Sequence, residues 1–329
     1  MSIEAGLRGS LGRLSTSVGR LAARFGRIVP PHAFVMTGDR LVRVSLEGDS
    51  GTARPSLGGI RTRSAALPNG SFRAGPGGVG VAAAGFSEAV GKLLGQGAKP
   101  DVTAASLSVP DAFVRVVAVD VEPGVDRNVR EVEEVLQWKL DRTFEGAPPL
   151  RIAWQVAGPA PGGGIRIIGI GTPEEAVASW EEAFAAHGIR IGMIVPEVLA
   201  VAPVASSALE GEGLLVWAHG GTVSTAFFGG GGLRFLRTKA EDPDTAETVQ
   251  EIRLFASFVA QAGTDSGGAG PAVAGPESSA VVARFAELRK ENGSGDPIAL
   301  RGVLVSRGLT AGLNDPAVLA GVGLVAGEE

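Results

Sequence analysis

The chain has 329 residues, 44% hydrophobic and 20% charged, with a formal net charge of −5 and no Cys. This composition suits a globular chain long enough to bury a sizeable core. The acidic balance excludes nucleic-acid binding by bulk charge, and the missing Cys excludes disulfides, thiolate metal sites and cysteine catalysis. No apolar run reaches the roughly 18–20 residues of a membrane span, and no signal-peptide pattern opens the chain.

In residues 1–30, Ile3, Leu7, Leu11, Leu14, Val18, Leu21, Phe25 and Ile28 recur at helical spacing. Arg8, Arg13, Arg20, Arg24 and Arg27 lie between them, against one acid, Glu4. Gly6, Gly9, Gly12, Gly19 and Gly26 each cost a helix about 1 kcal/mol relative to Ala, so the segment is a poor solitary helix. Two readings stay open for residues 3–28: a basic amphipathic helix on an anionic membrane surface, or a stripe that packs on the protein or on another copy.

Residues 31–112 read as the first half of a globular fold. Phe34 to Met36 and Leu41 to Leu46 flank the turn Thr37-Gly38-Asp39-Arg40 and predict a β-hairpin. Residues 48–80 are rich in Gly, Pro, Ser and Arg and read as loops with one short strand. A helix from Gly85 through Leu94 and a strand from Val102 to Val109 follow.

Residues 113–195 read as an inserted strand-helix-strand-strand α+β subdomain, closed by a second helix and a strand. Val125, Val129, Val132, Leu136, Leu140 and Phe144 form the apolar stripe of its first helix. The remaining face of that helix is charged and suits a docking platform. Ile152 to Val156 and Ile165 to Ile170 are strands. Thr172-Pro173-Glu174-Glu175 predicts a capping box, with Val177, Trp180 and Phe184 buried beyond it and Gly188 as the stop.

Residues 196–329 read as a second half. An apolar helix from Pro196 to Ala208 precedes a three-strand meander at 214–217, 224–228 and 233–237. Next come a helix burying Val249, Ile252, Phe255, Phe258 and Val259, a short strand at Ala272 to Ala274, a helix over 279–290, a strand from Ile298 to Val305, and a last helix capped by Asp315-Pro316. The four Trp read as core, and without clustered Lys among them they support no nucleic-acid platform. His32, His187 and His219 show no metal-ligand spacing; His219 stands out because it lies in a turn.

Several segments carry a family resemblance: Leu107-Ser108-Val109-Pro110-Asp111, the acidic helix around Glu131-Val132-Glu133-Glu134-Val135-Leu136, Trp154-Gln155-Val156, Gly188-Ile189-Arg190 before a strand, Glu247 to Phe258, and Leu319-Ala320-Gly321-Val322-Gly323-Leu324. In this order, over residues 33–329, they resemble the PilM family of type IV pilus assembly proteins. The cytoplasmic region of the type II secretion protein GspL is a related possibility.

The resemblance implies an α/β, actin-like (FtsA-like) fold of two halves. It implies a cytoplasmic scaffold, peripheral to the inner membrane, that grips the N-terminal tail of an inner-membrane protein similar to PilN. It also implies places for ATP with Mg: two hairpin turns at the phosphates, usually Asp-x-Gly, and a Gly-Gly turn at the adenosine, with backbone N–H groups and an acid near the metal. The matching positions are Gly38, then Gly220, Gly221 and Thr222, then Gly275. All depart from the pattern: Asp39 follows Gly38, Ala218 stands where the acid belongs, and Pro276 removes an N–H. A Walker A sequence is missing as well. These departures weigh against ATP hydrolysis. The alternatives to a scaffold are a nucleotide-binding actin-like ATPase and a stand-alone peptide-binding module.

Overall fold

The computed structural model describes residue 30, residues 32–46, 60–94, 102–125, 128–160, 163–208, 213–229 and 232–240, and then 245, 247–250, 252, 254, 272–274, 298–299 and 315–325. Residues 3–28, Gly275 and the helix expected over 279–290 lie outside these.

Two sheets of the same plan build the chain. The first is five-stranded, in the order β10-β6-β1-β2-β3. β1 (His32–Met36), β2 (Arg40–Leu46) and β3 (Ile60–Ala66) form an antiparallel meander. β6 (Ala104–Val109) and β10 (Arg190–Pro196) then add in parallel. The second sheet runs β13-β12-β11-β14-β15. Here too an antiparallel meander of β11 (Gly213–His219), β12 (Thr222–Gly229) and β13 (Gly232–Ala240) is extended in parallel by β14 (Ala272–Ala274) and β15 (Ile298–Ala299).

Five helices have defined bounds: α1 (Ala84–Leu94), α2 (Val129–Leu140), α3 (Glu174–Ala185), α4 (Glu197–Ala208) and α5 (Pro316–Val325). Of the helix expected from Thr245 to Ala262, residues 247–250, 252 and 254 are helical, with Val249 and Ile252 buried under the second sheet. Loops expected over 48–80 contain more order than the composition suggests: β3, then the hairpin of β4 (Phe72–Ala74) and β5 (Gly80–Ala82).

The third sheet, β7-β9-β8, is antiparallel: β7 (Arg115–Val121), β8 (Leu150–Pro159) and β9 (Ile165–Pro173). α2 covers one face. Alternation along β9 explains the fit: Ile167 faces α2, while Gly169 and Gly171 leave space for Leu136 and Leu140, whose Cδ atoms lie 2.5 and 2.9 Å from where a Cβ would stand. Ile168 and Ile170 point the other way, into the main cores.

Four expectations for 113–195 are corrected. α3 and β10 do not belong with the inserted sheet. β10 pairs with β6, and Trp180 and Phe184 of α3 fill the first-half core with Phe34 and Phe86. Thr172 makes no cap, because it and Pro173 pair with Arg151 and Leu150 as the end of β9, so sheet pairing overrides the capping signal. Val129 is exposed, since the first turn of α2 overhangs the sheet. Trp138 is 56% exposed and lies beneath the Arg142 guanidinium, 3.9 Å from the ring centre, rather than in a core.

One core lies between the halves. α4 and α5 are almost wholly apolar in sequence, a pattern that demands cover by neighbouring elements. α4 packs on β6, β10, β11, β12 and α5, while α5 packs on β1 and β2. Gly321 of α5 sits so close to β2 that a Cβ would come 2.3 Å from Val44 Cγ2. Overpacking of this kind costs about 1–3 kcal/mol. Gly321→Ala is therefore expected to destabilise the chain by that amount in urea unfolding. Adding Val44→Ala should bring part of it back, so the double variant loses less than the sum of the singles. Strict additivity would show that the contact is not made.

Candidate functional site

The expected phosphate turns exist as turns. Gly38 is exposed between β1 and β2, and Thr37 closes its own turn by donating from Oγ1 to Asp39 Oδ1 and to the Arg40 carbonyl, at 2.9 and 3.0 Å. Arg40 Nη2 then donates to Asp315 Oδ1 at 2.8 Å, and the same oxygen caps α5 by accepting from the Ala317 N–H. Gly220 and Gly221, with φ of 59° and 68°, make the two-residue β11–β12 turn, in which both central residues need positive φ. Thr222 opens β12 and is buried.

Sequence reasoning missed the groups that meet below the second turn. Pro110 leads into a 3-10 turn, Asp111–Phe113. Its Phe113 stacks on Trp180 in the first-half core, with centroids 5.9 Å apart. Its Asp111 faces the other way, with Oδ1 accepting from the Val198 N–H at the head of α4, 3.1 Å away. Oδ2 has no hydrogen-bond partner among the described residues. Glu197, the first residue of α4, is 1% exposed. Its Oε2 accepts from Trp217 Nε1 at 3.0 Å and lies 2.5 Å from His219 Nδ1. Ser224 on β12 hydrogen-bonds to Thr238 on β13 at 2.8 Å and favours the ionised form of the Asp111 carboxyl.

A carboxyl in this position resists ionisation. Burial, and then the neighbouring Glu197, push Asp111 up to about 7, against weaker opposing help from Ser224, the Val198 amide and His219. The only sequence signal was an acid between apolar neighbours, in Val109-Pro110-Asp111-Ala112-Phe113.

This donor set does not suit Mg-bound polyphosphate. The amide that the α4 N-terminus could offer an anion is already given to Asp111. The Glu197 carboxylate is held by Trp217 and His219, and residue 218 is a buried Ala. Among the described residues no group of three or more His, Asp and Glu could hold a metal ion. His187 is a tether: its Nε2 lies 2.8 Å from the Ser87 carbonyl and 3.1 Å from the Ser87 hydroxyl.

Two sheets of one plan, joined through α4 and α5, define an actin-like fold. Comparison with solved structures agrees. The chain is similar to a chain of the "PilM-PilN type IV pilus biogenesis complex", with a TM-score of 0.63 and 14% identity over 92% of this chain and 99% of that one. A more distant match is a Bacteroides thetaiotaomicron protein described as having an actin-like ATPase fold and unknown function, at TM-score 0.45 and 7% identity over 86% and 97% of the two chains. The cytoplasmic domain of EpsL, an inner-membrane component of the type II secretion system of Vibrio cholerae, matches at TM-score 0.33 and 8% identity over 59% and 64%. No protein-family profile and no curated protein sequence matches. At 14% identity the first of these likenesses establishes the fold alone.

The raised Asp111 value has a definite sign. The folded carboxyl keeps its proton to about pH 7, while the unfolded one releases it near 3.8. This group therefore favours the folded state fully below the unfolded value, and that advantage is lost as pH rises through the folded one. Wild-type unfolding free energy is expected to fall by about 2–3 kcal/mol between pH 5 and pH 8 through Asp111 alone. Asp111→Asn keeps the acceptor for Val198 and should lack this component. Denaturant titrations across that range check it, and identical pH profiles for the two proteins would refute the assignment.

Proposed function

We propose that this protein is an assembly scaffold of a type IV pilus or related secretion machine. On this reading it works at the cytoplasmic face of the inner membrane and holds the N-terminal tail of a small inner-membrane protein similar to PilN. The observation that carries the reading is likeness to a chain of the PilM-PilN complex over 92% of this chain and 99% of that one. One feature of the structure supports it. β10 ends the first sheet and β7 and β8 end the third. An extended peptide can add to such an edge by main-chain pairing, with side-chain pockets supplying selectivity. Among the described residues no helix is long and apolar enough to cross a membrane.

The first test is a titration of the tail peptide from a genetically adjacent single-span protein. Micromolar or tighter binding is expected for the chain of residues 1–329. A variant with residues 115–172 replaced by a short Gly-Ser link should lose at least tenfold in affinity while keeping its circular dichroism for the remaining elements. Equal affinity in a folded excision variant would place the tail elsewhere, and no binding by the parent chain would remove the scaffold reading.

Residues 3–28 are assigned to the anionic membrane surface. Each Arg near such a surface contributes about 1 kcal/mol, and the contribution weakens with salt. Co-sedimentation with anionic vesicles is expected at low ionic strength and should fall at high salt, with neutral vesicles, and when residues 1–30 are removed. A supernatant-only result with anionic vesicles at low salt would refute this assignment.

A further inference from the structure

The buried cluster below the β11–β12 turn joins three parts of the chain that are far apart in sequence. We propose that it is a proton-operated latch between the two halves: the proton on the Asp111 carboxyl, rather than a bound phosphate chain, holds the halves closed.

The connectivity makes it a latch. Asp111 belongs to the turn anchored in the first half by Phe113 on Trp180. Glu197 and Val198 head α4, which packs between the sheets. Trp217, His219 and Ser224 belong to the second sheet. Every bond described for the cluster, apart from Ser224 to Thr238, crosses between two of these three parts.

Charge makes it proton-operated. The charged groups that act on Asp111 are Glu197 on α4 and His219 on β11. Ionising Asp111 would place a charge on a buried side chain beside the buried Glu197, and a charge taken out of water near an acid is costly. The partnerless Oδ2 of Asp111 is the oxygen on which a proton removes that cost. The value of about 7 for Asp111 puts this step within the range of ordinary cellular pH. Above it the ionised Asp111 and Glu197 repel across the contact, and separation of the turn from the α4–β11–β12 side relieves them. A triphosphate would add negative charge to the same place and meet a helix N-terminus already capped by Asp111.

The test uses hydrogen exchange on purified residues 1–329, with no peptide or membrane present, so its outcome is independent of the scaffold reading. With a closed-state value near 7 and an open-state value near 3.8, opening should become about tenfold more frequent between pH 6 and pH 8. After correction for intrinsic rates, amides in residues 197–202 and 214–228 should show that rise, while those of α2 should not. Asp111→Asn should abolish the pH dependence. A flat wild-type profile, or an equal rise in the variant, would overturn the latch.

A second measurement keeps the proposal testable if the variant folds poorly. The chain has no Cys, so Lys92→Cys and Gln250→Cys can carry spin labels at exposed helical sites in the two halves. A longer separation should be populated at pH 8 and nearly absent at pH 6; a distance distribution unchanged by pH would overturn the proposal. Mg·ATP at millimolar concentration should leave exchange at residues 218–222 unchanged at both pH values. Protection there would show that a nucleotide, not a proton, occupies the junction.

Discussion

Two helices of almost wholly apolar sequence set the architecture. Val198, Ala200, Val201, Ala202 and Ala205 of α4 and Ala317, Val318, Ala320, Val322 and Leu324 of α5 are buried in one cluster. A helix of this kind is stable only if it is covered on every face. One sheet covers one face; a second sheet of the same plan, turned toward the first, covers the other. The inner residues of both sheets, Val35 and Val44 on one side and Leu215 and Trp217 on the other, share a single apolar cluster with the two helices. Neither half can bury α4 alone, so the halves depend on each other for stability.

Within that apolar contact the Asp111–Glu197–His219 group is the exception that fixes alignment. Apolar faces slide at little cost, but a buried carboxyl that has lost its donor cannot be rehydrated without opening the junction. Trp217 shows both roles in one side chain: its ring is in the shared apolar cluster and its Nε1 donates to Glu197. The Asp111–Phe113 turn is built the same way, its aromatic end in the first-half core and its acidic end against α4 and β12.

Local pattern made most elements legible. Period-two runs gave the β1–β2 hairpin and the β11–β13 meander, period-3.6 runs gave α2 and α3, an apolar run gave α4, and Asp315-Pro316 marked the head of α5. What local pattern does not carry is partnership. β10 reads as a strand wherever it pairs, so the sequence could not say that it returns to β6. Thr172 reads as a cap until β8 claims it. The site was harder for the same reason. Glycine turns are visible in sequence, and Gly220-Gly221 was found, but a buried acid is made by neighbours distant in the chain. Asp111 and Glu197 are close only because α4 starts where β10 ends, beside the end of β6.

The inserted sheet touches both halves. Its chain enters and leaves through the first half, by the Asp111–Phe113 turn before β7 and by α3 after β9. Yet it also leans on the second half: β7 and β8 pack on β13, and Arg234 Nη1 donates to the Ala157 carbonyl at 2.9 Å. Ala157 and Ile168 lie in the same apolar cluster as Leu233 and Leu236. The inserted sheet is thus braced by the second half, while β10 and α3 belong to the first. Packed interiors do not stretch to absorb a change in the angle between the halves. Under the proposed latch, opening would therefore carry the edges β7 and β8 relative to the edge β10, and these are the edges at which we propose that the tail pairs.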